Sequence, residues 1–85
     1  MYNLTFSNSA GNFLKKIERV ILIRITEKLE KLKINPFPAD CKRVEIKGKV
    51  FRIRVGDFRI LYEVLHQDSK LYIIKIDKRG RVYKN

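Results

Sequence analysis

Cysteine occurs once, at Cys41, so an internal disulfide or a thiolate metal cluster is excluded. The thiol reads as a small filler in a reducing compartment. Histidine also occurs once, at His66 in a turn-forming stretch, which excludes a nuclease built on a histidine pair and marks a surface residue. No metal ion or cofactor is expected. No apolar run approaches the roughly 18 residues needed to cross a bilayer, and no basic segment followed by an apolar run opens the chain as a signal peptide would. The expectation is a cytoplasmic protein that does not enter a membrane. Acidic residues are scarce too, nine Asp and Glu against twenty Lys and Arg.

What is present is therefore dominated by positive charge. The net +11 attracts polyanions, and for a small soluble domain nucleic acid is the usual one. A charged surface adapted to heat would carry roughly balanced signs, unlike this one. The excess is uneven. Residues 1–40 carry seven basic and four acidic residues, residues 41–85 thirteen and five. The polyanion is thus expected on the C-terminal half. Eighty-five residues, 45% of them hydrophobic, support one core and one domain over 1–85.

Tyr2, Leu4 and Phe6 alternate with polar residues, the period of a half-buried strand. Ser7-Asn8-Ser9 supplies helix N-cap candidates. From Ala10 to Lys33 the period turns helical, with Phe13, Leu14, Ile17, Val20, Ile21, Ile25, Leu29 and Leu32 along one stripe. This length fits one long helix or two antiparallel ones broken near 18–20, and no Gly or Pro decides between them. Asn35-Pro36-Phe37-Pro38 ends the helical region. Strands follow at Arg43–Ile46, Val50–Val55, Phe58–Leu65 and Leu71–Ile76, with turns at Lys47-Gly48-Lys49, Gly56-Asp57 and Gln67-Asp68-Ser69. Asp77 to Asn85 reads as a polar tail. The fold class is α+β: an N-terminal strand and a helical region packed on one face of a mostly antiparallel sheet of four to five strands.

The two-residue Gly56-Asp57 connection fixes a register. Val55 faces Phe58, Arg54 faces Arg59, Ile53 faces Ile60, Arg52 faces Leu61 and Phe51 faces Tyr62. Period two then puts Phe51, Ile53, Val55, Phe58, Ile60, Tyr62 and Val64 on a core face. Arg52, Arg54, Arg59 and Glu63 go to the other, with Leu61 among them. Like charges directly opposite in an antiparallel pair repel, so folding alone would not select Arg54 against Arg59. An anion bound between them explains the pair. Guanidinium groups suit phosphate because each binds two oxygens at once. Lys47, Lys49, Lys78 and Arg81 are further RNA-binding candidates, while Tyr83 and the surface flanking Phe58 offer stacking partners for unpaired bases.

The run from Phe51 to Val64 (Phe-Arg-Ile-Arg-Val-Gly-Asp-Phe-Arg-Ile-Leu-Tyr-Glu-Val), the lead-in Lys42-Arg43-Val44-Glu45-Ile46-Lys47-Gly48 and the closing Lys78-Arg79 with Val82-Tyr83 closely resemble the RelE/ParE toxin superfamily. The resemblance covers essentially the whole chain. It implies the toxin of a type II toxin–antitoxin system and, for RelE-type members, a ribosome-dependent endonuclease cutting A-site mRNA. In that chemistry the ribose 2′-OH attacks the adjacent phosphate and leaves a 2′,3′-cyclic phosphate or its hydrolysed form. By this likeness Arg52 and Arg54 line the phosphate, Arg59 steadies its charge, Arg79 serves the leaving group, and Tyr83 orients or deprotonates the nucleophile. Two departures from the family pattern bear on mechanism. Arginines stand where some relatives have lysine, and with a pKa of about 12.5 or higher they are poor bases. Asp77-Lys78 stands where many relatives have histidine before the arginine. Both features move the proton-acceptor role to Tyr83, with Glu63 the weaker candidate.

The likeness also implies an acidic, helical antitoxin of the RelB kind, assembled with the toxin as a hetero-oligomer, alongside the ribosomal A site and mRNA as partners. Two alternatives stand beside it: a ParE-like toxin that inhibits gyrase by protein contact, and a non-catalytic basic protein that binds RNA or the ribosome. ParE-type members generally lack the combination of Arg79 and Tyr83.

Overall fold

The computed structural model describes residues 1–44 and 49–78. The chain runs β1 (Asn3–Phe6), α1 (Asn8–Lys16), α2 (Arg19–Ile34), β2 (Lys42–Arg43), β3 (Val50–Val55), β4 (Phe58–Leu65), a 3₁₀ turn (His66–Asp68) and β5 (Lys70–Lys78). The five strands form one sheet in the order β1-β5-β4-β3-β2. Every pairing is antiparallel except β1 with β5. The α+β class and the mostly antiparallel sheet are as the sequence predicts.

The open question of the helical region resolves as two helices. Ile17 and Glu18 both take extended backbone, with ψ of 155° and 146°, which interrupts the helix without glycine or proline. The break puts Val20 out of the apolar stripe, where it is 65% exposed. Ala10, Ile25, Leu29 and Leu32 from the helices join Phe51, Ile53, Ile60, Tyr62, Val64, Leu71, Ile73 and Ile76 from the sheet in one buried cluster. Both helices lie on this face.

Ser7 caps α1 as expected. Its hydroxyl accepts the Ala10 N–H at 3.0 Å and donates to the Ile74 carbonyl at 2.6 Å. The second bond matters because the β4–β5 ladder shifts register there: Leu61 faces Lys75, yet Tyr62 faces Ile73. The extra residue, Ile74, interrupts the alternation, and Ser7 takes up its carbonyl. The shift is what places Ile76 in the core after Leu71 and Ile73.

Several predicted boundaries move. β1 begins at Asn3 rather than Tyr2, and the described part of β2 is Lys42–Arg43; residues 45–48, including the proposed turn, lie outside the described residues. β5 extends through Lys78, so Asp77 and Lys78 belong to the sheet and not to a polar tail. His66 is exposed as expected, but it is also anchored. Tyr2 Oη lies 2.8 Å from its Nδ1 and the Phe37 ring packs against it.

Candidate nucleic-acid interface

The β3–β4 hairpin has the register read from the sequence, with Arg54 opposite Arg59, Arg52 opposite Leu61 and Val55 opposite Phe58. Gly56 makes the turn possible: its φ of +59° is the left-handed conformation that side chains resist. Asp57 does not share it, which is the sign pattern of a type II′ connection. This short turn leaves no slack, so the two arginines are held side by side.

Rows across the sheet give the open face its composition, because paired residues project to the same side. One row runs Arg54, Arg59, Asp77 and the next Lys42, Arg52, Leu61, Lys75. A third holds Glu63 and Tyr72. Five basic and two acidic side chains therefore share a face that neither helix covers. Arg54 is exposed; Arg52 and Arg59 are half-buried, and the Nε of Arg59 is itself buried.

Three members of this face escaped the sequence reading. Asp77 stands opposite Arg59, where its carboxylate offsets part of the Arg54–Arg59 repulsion. Lys75 and Tyr72 join the same surface. The register shift at Ile74 is the reason for Lys75 and Asp77, since strict alternation from Leu71 would have sent residues 75 and 77 to the core; Tyr72 precedes the shift and reaches this face by plain alternation. The adjacent apolar pair Ile73-Ile74, which breaks the period, was the signal available.

The other expected residues are distributed. Lys49 is exposed at the start of β3, about 16 Å along the strand from Arg54 at 3.3 Å per residue. Lys78 is exposed but pairs with Phe58, so it projects to the helix side and away from the arginine row. Phe58 itself packs edge-on against Phe13 of α1, with ring centroids 5.8 Å apart, and is no stacking platform on the open face; Tyr72 is the aromatic residue there. Lys47, Arg79, Arg81 and Tyr83 lie outside the described residues. Cys41 is a free, half-buried thiol, and among the described residues no three His, Cys, Asp or Glu side chains group as a metal site would need. No helix among them is long and apolar enough to cross a membrane.

Chemically, such a face can bind phosphate at several points and stabilise extra negative charge on it. Residues 4–83 match the family described as the ParE toxin of type II toxin–antitoxin system, parDE. The chain is 40% identical to the protein named "Putative toxin RelE1" of Methanocaldococcus jannaschii, over 99% of this chain and 97% of the relative. Its fold is similar to RelE in the archaeal RelE–RelB complex from Pyrococcus horikoshii OT3, with a TM-score of 0.83, 27% identity and coverage of 94% of this chain and 97% of that one. The isolated Escherichia coli RelE toxin has the same TM-score of 0.83 at 20% identity, covering 99% and 93%, a likeness of fold.

Proposed function

The chain belongs to the ParE toxin family of type II toxin–antitoxin systems, in the RelE/ParE group, and from that premise we propose that it is a ribosome-dependent endoribonuclease that cuts mRNA in the A site. The observation that carries the proposal is the opposition of Arg54 and Arg59, with Arg52 beside them, on a sheet face left uncovered by the helices. A gyrase inhibitor working by protein contact has no need of clustered phosphate binders.

In the proposed reaction the ribose 2′-oxygen attacks the neighbouring phosphorus and the 5′-oxygen departs, leaving a 2′,3′-cyclic phosphate and a 5′-hydroxyl. Charge on the phosphoryl oxygens rises in the transition state. Arg52, Arg54 and Arg59 stabilise that charge, and fixed donors of this kind contribute most where water is excluded. Arg79 steadies the negative charge on the leaving 5′-oxygen, which takes its proton from water, and Tyr83 takes the proton from the 2′-OH. A phenol of ordinary pKa near 10 becomes a better acceptor beside several cations. Asp77, two residues before Arg79, stands beside Arg59 in the strand register on the side opposite Arg54. The ribosome supplies in-line positioning, which is worth several kcal/mol of barrier, so naked RNA is expected to be cut poorly. The proposed partner that silences the toxin is an antitoxin, in keeping with the toxin–antitoxin complexes among its structural relatives, and the toxin's positive charge suits an acidic one.

The test is to add the protein to a translation reaction, map mRNA 5′ ends, and repeat with Arg79→Ala and Tyr83→Phe. Codon-phased cuts that disappear in Arg79→Ala are expected. Intact mRNA together with blocked DNA supercoiling would establish the gyrase alternative, which the family's own description keeps in view.

A further inference from the structure

A second basic surface lies around the edge of the sheet from the arginine row. β2 pairs with only Arg52 and Phe51 of β3, so from Ile53 to Val55 no described strand flanks β3 on that side. A groove of about 270 Å³ opens there against α2, lined by Arg24, Glu27, Lys28 and Lys31 of the helix and by Arg54 at the strand edge. Arg24, Lys28 and Lys31 follow one another at intervals of four and three residues, which stacks them on one side of the helix over about 10 Å. Lys28 is committed to Asp40 at 3.1 Å. Arg24, Lys31 and Arg54 take part in no salt bridge among the described residues. The Arg24 guanidinium lies over the hairpin turn, its Nη2 only 3.3 Å from where a Gly56 Cβ would be. Three cations thus converge on the groove against the single uncommitted carboxylate of Glu27.

We propose that this groove is a second phosphate-binding subsite, which takes the sugar–phosphate backbone of the same single RNA strand beyond the nucleotides that lie on the open face. Arg54 links the two surfaces, since it belongs both to the arginine row and to the groove lining. The positive surface is therefore continuous over the β3 edge, and a strand leaving the row meets Arg24 and Lys31 next. Glycine at 56 keeps the route low, because a side chain there would displace the Arg24 guanidinium. The inference rests on the RNA reading of the open face but adds a separate consequence, a longer footprint that depends on α2.

The consequence is measurable with 2′-O-methyl oligouridines of about four and about twelve nucleotides, bracketing the usual site sizes for single strands; these bind but cannot be cut. The full-length protein is expected to bind the longer oligonucleotide at least about tenfold more tightly, as additional phosphate contacts release further counterions. Arg24→Gln with Lys31→Gln should abolish most of that gain, leave affinity for the short oligonucleotide unchanged, and make the salt dependence for the long one shallower by about 0.7 per lost phosphate. Arg24→Lys should keep the gain, which separates charge from packing over Gly56, and Glu27→Gln should enlarge it. An unchanged ratio of long to short affinity in the double variant overturns the proposal. So does competition by an acidic peptide that depends on Arg24 and Lys31 while the length gain does not, since the groove would then be a protein site. Failure of the open-face reading shows elsewhere, as short-oligonucleotide affinity that survives Arg52→Gln with Arg59→Gln.

Discussion

Arg54 and Arg59 face each other across a two-strand ladder, and the repulsion costs on the order of 0.2–1 kcal/mol before Asp77 offsets part of it. Replacing Arg54 by Gln should therefore leave the urea midpoint unchanged or raise it, while RNA affinity measured by fluorescence anisotropy falls. A loss of both would mean the pair is structural. Tyr62 presents the opposite case. Its buried hydroxyl donates to the Pro36 carbonyl at 2.7 Å, tying β4 to the loop that ends α2. Tyr62→Phe leaves that carbonyl unpaired and should cost about 1–2 kcal/mol in urea denaturation. Burial, and then the hydrogen bond to Cys41, push the Tyr62 phenol well above its ordinary value. The folded-state pKa is thus the higher one, so this contribution is complete below about pH 10 and is lost as pH rises beyond it. Alkaline unfolding monitored by circular dichroism should accordingly be less steep in Tyr62→Phe. The arginine pair was legible in the sequence because a two-residue turn fixes register. The Tyr62 bond was not, since its partner stands 26 residues away and no local pattern links them.

Among the elements, α1 depends on one serine. Ser7 caps the helix and also satisfies the carbonyl left over at the Ile74 irregularity, joining β1, α1 and β5 at a point. Ser7→Ala should lower stability by about 1–2 kcal/mol, near the upper end for a cap, because two bonds are lost; thermal melting reads this directly. Gly56→Ala is expected to cost a similar amount, about 1–2 kcal/mol from the left-handed backbone alone, with RNA affinity reduced as Arg24 is displaced. The cap and the hairpin were legible from residue type. The helix break at Ile17–Glu18 stayed open between one helix and two, and the shift at Ile74 was marked only by the apolar pair Ile73-Ile74, because tertiary packing sets both and neither carries a glycine or proline. That shift is why Lys75 and Asp77 were missed on the functional face.

At the scale of the whole molecule, five basic side chains against two acidic ones share the face of the sheet that neither helix covers, and positive charge continues over its edge toward α2. Affinity for RNA should fall steeply with salt. If Arg52, Arg54 and Arg59 each neutralise one phosphate, the logarithm of the binding constant has a slope of about −2 against that of salt. Composition alone would have stopped at a basic protein; the hairpin sequence carried the family, and the fold agrees with it over nearly the full chain. The central claim is cleavage by the substrate's own 2′-oxygen in the ribosomal A site. The direct test programs ribosomes with an mRNA carrying a single 2′-deoxynucleotide at the mapped cut and compares it with the all-ribose message. Loss of cutting at that phosphate alone, with a 2′,3′-cyclic end on the all-ribose product, is the predicted result. Undiminished cutting of the deoxy-substituted message would contradict the account.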